Sequence, residues 1–494
     1  MRSLIKYAFI TLLTFGCAKK EELQFNSSEK FENELIELQN FFNVPGIAVS
    51  VIKEDKTIYQ NYLGYSDLES QTKLDSTYVF PIASITKVFS GVLMMKLVEQ
   101  QKISLDEPIQ KYVPQMNVPD SILVKHVLSH TSQGEVGKQF YYSSRFGILT
   151  AIIEKASGKS FKEYMTSEIF KPLALQNTYL LKDTVQISQN NLKIPSPYIL
   201  DNGIEKGFID FGYSSSAGII TDLNDLKTFS LAFDHNKLIS ERSKNLMLSG
   251  VNENLPYGYG VFNQQFDDLK LVWAYGQYDC YSSLLLKVPS RNITLVLLAN
   301  NNLLSDPARL IYGDVTTSLF ALSFIKNYIY QIEDMPLLES EESGKTKGDY
   351  KNENFYTRKL LAQALASSFM ARFETKKMQT SSMLLEKVFS ESPDYLEYAD
   401  LNLLHNLTFL KDVAFYKELG EFNQFDEKIE AIGEKVLKED PENPYGHVYM
   451  GVYYDRKGDI NRARYHFESI VNADNFSKNW YTTEAKNWIE THKN

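Results

Sequence analysis

The chain has 494 residues, 43% hydrophobic and 23% charged, an ordinary globular composition but too long for one domain of about 100–200 residues. Its formal net charge is −10, from 52 Lys and Arg against 62 Asp and Glu, so it lacks the basic excess that neutralises phosphates, and no nucleic-acid partner is expected. With only Cys17 and Cys280 present, a cysteine metal site is excluded, and so is a disulfide framework if Cys17 is modified. His126 and His130 have the i, i+4 spacing of a helical metal pair, but no Glu follows His126; no metal and no cofactor are expected.

Arg2 and Lys6 precede the apolar run Tyr7-Ala8-Phe9-Ile10-Thr11-Leu12-Leu13-Thr14-Phe15, which is too short to span a bilayer. The run stops at Gly16-Cys17. A small residue directly before a cysteine resembles a bacterial lipoprotein signal, with Cys17 as the lipidated residue. Thr14 and Phe15 depart from that pattern, and plain secretory cleavage or an uncleaved anchor is the alternative. On the lipoprotein reading, residues 1–17 are a signal peptide and residues 18–35 a tether that begins with Lys19-Lys20-Glu21-Glu22. The expected location is then the bacterial cell envelope, periplasmic or surface-facing. Acyl chains would hold the protein there, each buried CH₂ adding about 0.8 kcal/mol.

Gly46-Ile47-Ala48-Val49-Ser50-Val51-Ile52 reads as a short apolar strand. Thr57-Ile58-Tyr59-Gln60-Asn61-Tyr62 alternates and pairs with it as a hairpin through Glu54-Asp55-Lys56. Helices are predicted over residues 86–100 and 146–155. Two late strands, residues 282–288 and 293–299, are joined by Pro289-Ser290-Arg291-Asn292. Strands at both ends with helices between predict an α/β (α+β) domain over residues 36–330: one antiparallel sheet flanked by helices, with a helical subdomain. Residues 331–354, polar and apolar-poor around 338–348, read as a linker.

Residues 355–494 read as helices only. Met450-Gly451, Tyr454, Gly458, Ala463 and Phe467 have offsets that resemble a tetratricopeptide repeat, a helical hairpin of about 34 residues. Pro441, after a helix over 426–437, and Ser392-Pro393, after a helix over 378–388, stand in comparable places. Such a region would take a protein partner; a generic helical bundle is the alternative.

Ser84-Ile85-Thr86-Lys87 opens a predicted helix, and the i, i+3 spacing puts both functional side chains on one face. A serine hydroxyl needs a base to become a nucleophile, and a lysine with a lowered pKa can be that base. S-x-x-K is weak alone, but Val79-Phe80-Pro81-Ile82-Ala83-Ser84-Ile85-Thr86-Lys87-Val88-Phe89 resembles the nucleophile segment of the serine β-lactamase-related, penicillin-binding-protein-like family. That family includes class C β-lactamases, D-alanyl-D-alanine peptidases and esterases. The match continues through Val44-Pro45-Gly46-Ile47-Ala48-Val49, Val127-Leu128-Ser129-His130-Thr131-Ser132, Gly137-Lys138-Gln139-Phe140-Tyr141-Tyr142-Ser143-Ser144 and Tyr257-Gly258-Tyr259-Gly260.

The resemblance implies Ser84 as nucleophile, Lys87 and Tyr142 as general bases, and the backbone N–H groups of Ser84 and Gln277 as oxyanion hole. A Lys87 ammonium is expected to favour the Tyr142 phenolate. His130 falls in a structural turn. Two positions depart from the pattern. Ser144 replaces a substrate-contacting Asn, and the third motif, usually K-T-G or H-x-G, is Ala274-Tyr275-Gly276. These four residues are the expected substrate contacts, without the usual cation or imidazole. The loop between Ser132 and Gly137 is short, so one cleft wall is missing or supplied elsewhere. The leading expectation is a serine hydrolase forming an acyl-enzyme on small esters, amides or D-amino-acid peptides, an esterase or peptidase rather than a true β-lactamase. The alternatives are a catalytically weak binding protein for peptide or cell-wall fragments, and a scaffold lipoprotein whose repeats carry the function.

Overall fold

The computed structural model describes residues 26–116, 118–340, 344–398, 400–473, 475–477 and 479–492; Cys17, the signal peptide and residues 18–25 lie outside them. Helix α1 (Ser27–Phe42) begins where the Asn26 side chain accepts the Glu29 N–H, a usual N-cap. It buries Phe31, Leu35, Leu38 and Phe42, spaced to fall on one helical face. The tether expected over residues 18–35 therefore gives way to helix at Ser27. Glu34, which reads as a solvated charge, is buried and accepts hydrogen bonds from Ser323, Lys326 and Asn327.

The main sheet has seven strands: β1 (Gly46–Lys53), β2 (Lys56–Asp67), β3 (Thr72–Lys73), β4 (Phe262–Phe266), β5 (Leu269–Gln277), β6 (Ser282–Val288) and β7 (Ile293–Ala299). Their order is β3-β2-β1-β7-β6-β5-β4, antiparallel throughout. Ile47 lies opposite Ala299 and Lys53 opposite Ile293, so the two ends of the domain close the sheet, as expected. In β1, β6 and β7 every residue except Lys53 is buried. A sheet covered on both faces needs continuous apolar runs rather than alternation, hence Leu284-Leu285-Leu286 and Leu295-Val296-Leu297-Leu298.

Helix α2 (Thr86–Glu99) is the central helix of the domain and buries Val88, Phe89, Val92, Leu93, Met94, Met95 and Leu97. Helix α3 (Leu149–Ser157) packs on α2. Helix α4 (Leu223–Asp234) packs on β1 and β7, and Lys287 of β6 reaches it through Ser230 at 2.6 Å and Asp234 at 2.8 Å.

The C-terminal region is all-helical: α5 (Glu353–Met370), α6 (Lys376–Glu391), α7 (Leu401–Tyr416), α8 (Asp426–Glu439), α9 (Pro444–Arg456), α10 (Ile460–Val471) and α11 (Trp480–Thr491). Part of the expected linker is bound rather than free. Met335 and Leu337 are buried, Glu339 pairs with Lys359 of α5 at 2.6 Å, and the Gln363 amide bonds both the N–H and the C=O of Glu339. The helices also lie against the sheet domain. Arg358 pairs with Asp314 at 2.9 Å, and Arg309 Nε donates to His405 at 3.1 Å. One apolar core runs from Phe31 to Ala485. No helix among the described residues is long and apolar enough to cross a membrane.

Candidate active site

Ser84 sits in a single 3-10 turn, Ala83–Ile85, that runs into α2. Ala83 has φ +43°, a left-handed conformation that is costly for a residue with a side chain and persists only where surroundings impose it. The surroundings are tight. Ser283 Oγ donates to Ile82 O at 3.0 Å, and Thr86 Oγ1 accepts the Ile219 N–H at 3.1 Å. A Cβ on Gly276 would stand 2.0 Å from Ile82 O, so β5 crosses the Ser84 turn at a distance only glycine permits.

Lys87, one helical turn on, places Nζ 2.9 Å from Ser84 Oγ and 3.1 Å from Ser216 O. Burial pulls its pKa down to about 7, so near neutral pH much of it is a free amine facing the serine hydroxyl. Gly260, at φ +95°, lets the Tyr257-Gly258-Tyr259-Gly260 segment press on α2 here; a Cβ would lie 2.5 Å from Lys87 O.

Tyr142 hydrogen-bonds Ser84, which lowers its pKa, but burial outweighs that bond and raises the phenol well above its ordinary value. The expected phenolate is corrected accordingly. Lys87 Nζ lies over the Tyr142 ring, 4.8 Å from its centre, and is itself readily neutral, so the hydroxyl stays protonated. Of the two groups beside Ser84, the Lys87 amine is the one readily free to accept a proton, and the Tyr142 hydroxyl keeps its own. His130 stacks on Tyr142 at 4.3 Å and accepts the Ser143 N–H on Nδ1 at 3.0 Å. Burial and the Lys87 charge push its pKa well down. It supports the tyrosine loop as a neutral ring.

The direction of the Gln277 N–H follows from strand parity. The Tyr278 N–H bonds Tyr281 O at 2.9 Å, and Gln277 pairs with Ser282. Bonded and non-bonded pairs alternate along an antiparallel ladder, so the Gln277 N–H points away from β6, toward the strand's open edge. The Ser84 N–H lies in an opening turn, where helices leave N–H groups without internal acceptors. Two such donors suit a developing oxyanion.

Ser84, Tyr142, Tyr275 and Gln277 open into a cleft of about 380 Å³. Asp210, Asp279, Asp306, Arg309, Tyr312 and Trp480 are also among its lining residues. Arg309 is paired with Asp306 at 3.5 Å, and the Gln277 side chain donates to Asp306 at 3.1 Å. Asp210 has a raised pKa, from burial first and then from the Asp279 charge.

The family model described as Beta-lactamase matches residues 37–314. The chain belongs to the beta-lactamase family. It is 26% identical over 310 residues to Protein flp of Staphylococcus aureus strain MW2, covering 53% of this chain and 60% of that protein. It is 28% identical over 175 residues to a Beta-lactamase of Escherichia coli K12, covering 30% of this chain and 45% of that protein. The chain thus spans less than two thirds of the length of either relative. The octameric penicillin-binding protein homologue from Pyrococcus abyssi shares the fold, with a TM-score of 0.53 and 23% identity over 60% of this chain and 77% of that one. Membership of the beta-lactamase family supports the serine-hydrolase class.

Within this beta-lactamase-family fold the two departures lie as follows. Ala274 is buried in the core and, by strand alternation, faces opposite to Tyr275. Tyr275, not Ala274, lines the cleft. Gly276 is the crossing point on the Ser84 turn. Ser144 is exposed at the start of the 3-10 segment Ser144–Ile148 and is not among the residues that line the cleft. Sequence reasoning missed the cleft's Asp210, Asp279, Asp306, Arg309, Tyr312 and Trp480. Asp279 stood three residues after the third motif and was within reach; Trp480 carried no local signal.

Proposed function

We propose that Ser84 is the nucleophile of an acyl-transfer hydrolase acting on small esters, amides or D-amino-acid peptides. The observation that carries this reading is the 2.9 Å approach of Lys87 Nζ to Ser84 Oγ, with the lysine pKa brought to about 7 by burial. The neutral amine takes the serine proton as Oγ attacks the carbonyl carbon, and the N–H groups of Ser84 and Gln277 hold the oxyanion. The leaving group departs with a proton passed through the Tyr142 hydroxyl, leaving an acyl-enzyme. Water, deprotonated by the same amine, then releases the acid and restores Ser84.

The lining favours uncharged or ammonium-bearing substrates over carboxylates. Among the described lining residues the one cation, Arg309, is paired with Asp306, which leaves Asp210 and Asp279 in excess. That supports esterase or peptidase activity over β-lactam turnover. The test is labelling of the purified chain with a fluorophosphonate, and hydrolysis of p-nitrophenyl acetate. Both should be present in the wild type and abolished in Ser84→Ala; wild-type turnover in that variant overturns the reading.

A second reading, a catalytically weak peptide- or wall-fragment-binding protein, is favoured by the missing cation at Ala274 and the exposed Ser144. It predicts no labelling of the wild-type chain. The N-terminal pattern also supports lipid anchoring at Cys17 in a bacterial envelope, to be tested by loss of radiolabelled palmitate incorporation in Cys17→Ser.

A further inference from the structure

The loop after Ser132 is short, and the connections between the C-terminal helices, residues 475–477 before α11 and Asp440 after α8, lie against the tyrosine-bearing segment. Gln133 Oε1 accepts the Ser477 N–H at 2.7 Å and the Ser477 hydroxyl at 2.5 Å. Asn475 Nδ2 donates to Gly134 O at 3.0 Å, and Arg145 Nη2 donates to Asn475 O at 3.3 Å. The Phe476 ring meets Tyr141 edge-on at 5.0 Å. Tyr141, the residue before Tyr142, donates its hydroxyl to Asp440, and Gln139 Nε2 donates to the same carboxylate at 2.6 Å.

This docking brings Trp480, the first residue of α11, into the cleft with Ser84 and Tyr142. Its backbone N–H donates to the Asn479 side chain, and the residue remains 43% exposed. Tyr445 lies between Trp480 and Tyr312, with ring centres at 6.3 and 5.0 Å. An exposed indole in a cleft offers a large, rigid apolar surface at small conformational cost.

We propose that the helical region completes the acyl-transfer cleft. Trp480 is the wall that selects substrates carrying an aromatic or bulky apolar group, and Tyr141, held by Asp440, positions Tyr142. This rests on the reading of Ser84 as nucleophile. The specificity and positioning roles separate because Trp480 borders the cleft whereas Tyr141 is buried behind it.

The experiment uses the full chain and two substrate pairs. p-Nitrophenyl acetate against p-nitrophenyl phenylacetate varies the acyl group; S-ethyl against S-phenyl thioacetate varies the leaving group. Trp480→Ala is expected to lose tenfold or more of the preference for the aromatic member in at least one pair, through KM. The small members should fall by less, so the loss is read as a change of ratio within each pair. Tyr141→Phe, which removes only the hydroxyl facing Asp440, should lower kcat about fivefold or more on S-ethyl thioacetate, whose alkyl thiolate needs the relayed proton, with KM held, and change the other three substrates less. Unchanged ratios in both pairs, or a parallel fall of all substrates in Trp480→Ala, overturn the wall. Wild-type kcat on S-ethyl thioacetate in Tyr141→Phe, or an equal fall on all four substrates, overturns the positioning role. A wild-type chain that neither labels nor turns over any of the substrates overturns the Ser84 reading and the proposal with it.

Discussion

Lys87 Nζ faces Ser84 Oγ at 2.9 Å, and the only cause shifting the lysine is burial, which brings its pKa to about 7. The base form therefore grows as pH rises through 7, while Tyr142 stays protonated far above that. For a neutral ester, kcat/KM should rise about tenfold per pH unit well below 7 and level off above it, through pH 9. A profile measured from pH 5 to 9 that is flat across 7 would remove Lys87 as the base.

The same burial costs stability. The folded pKa lies below the unfolded value of about 10.4, so the unfolded chain binds more protons between those two values. The cost is full below about 7 and relieved as pH rises toward 10. A shift of this size corresponds to something on the order of 4–5 kcal/mol. Lys87→Met should abolish turnover yet raise Tm by several degrees at pH 6.5, with the gain shrinking at pH 9.5. Thermal melts at both pH values check this; a lower Tm at pH 6.5 would contradict it.

If Tyr142 relays the proton to the leaving group, its importance depends on how much help that group needs. Tyr142→Phe should cost about 10²–10⁴-fold in kcat on an alkyl amide, the usual range for a general acid or base. It should cost far less on a p-nitrophenyl ester, whose phenolate leaves unaided. Equal losses on the two substrates would make Tyr142 a packing residue.

Asp210 and Asp279 give the cleft unpaired negative charge. Asp210→Asn combined with Asp279→Asn should raise kcat/KM for the anionic substrate nitrocefin by about threefold at low salt, a gain that 0.5 M salt screens away. It should leave p-nitrophenyl acetate unchanged. A gain of equal size on both substrates would indicate a reshaped cleft instead.

The amino-acid sequence by itself determined the parts of this protein that are local. Ser84 and Lys87 are one helical turn apart wherever that helix forms, and the apolar runs at 46–52, 284–286 and 295–298 can only be buried strands. That Tyr142 stands beside Ser84 is legible in the Gly137 to Ser144 motif, because the turn that presents it is built from neighbouring residues. Tertiary structure decided what depends on residues distant in the chain. Glu34 and Glu339 read as solvated charges until Lys326 and Lys359 arrive to bury with them. The Tyr142 ionisation state could not be read from its proximity to a lysine, since desolvation acts on both groups and outweighs their attraction. The cleft wall formed by Trp480 is 338 positions from Tyr142 (480 − 142). No periodicity or motif encodes such a contact; it exists because the connections between the C-terminal helices lie against the tyrosine-bearing segment.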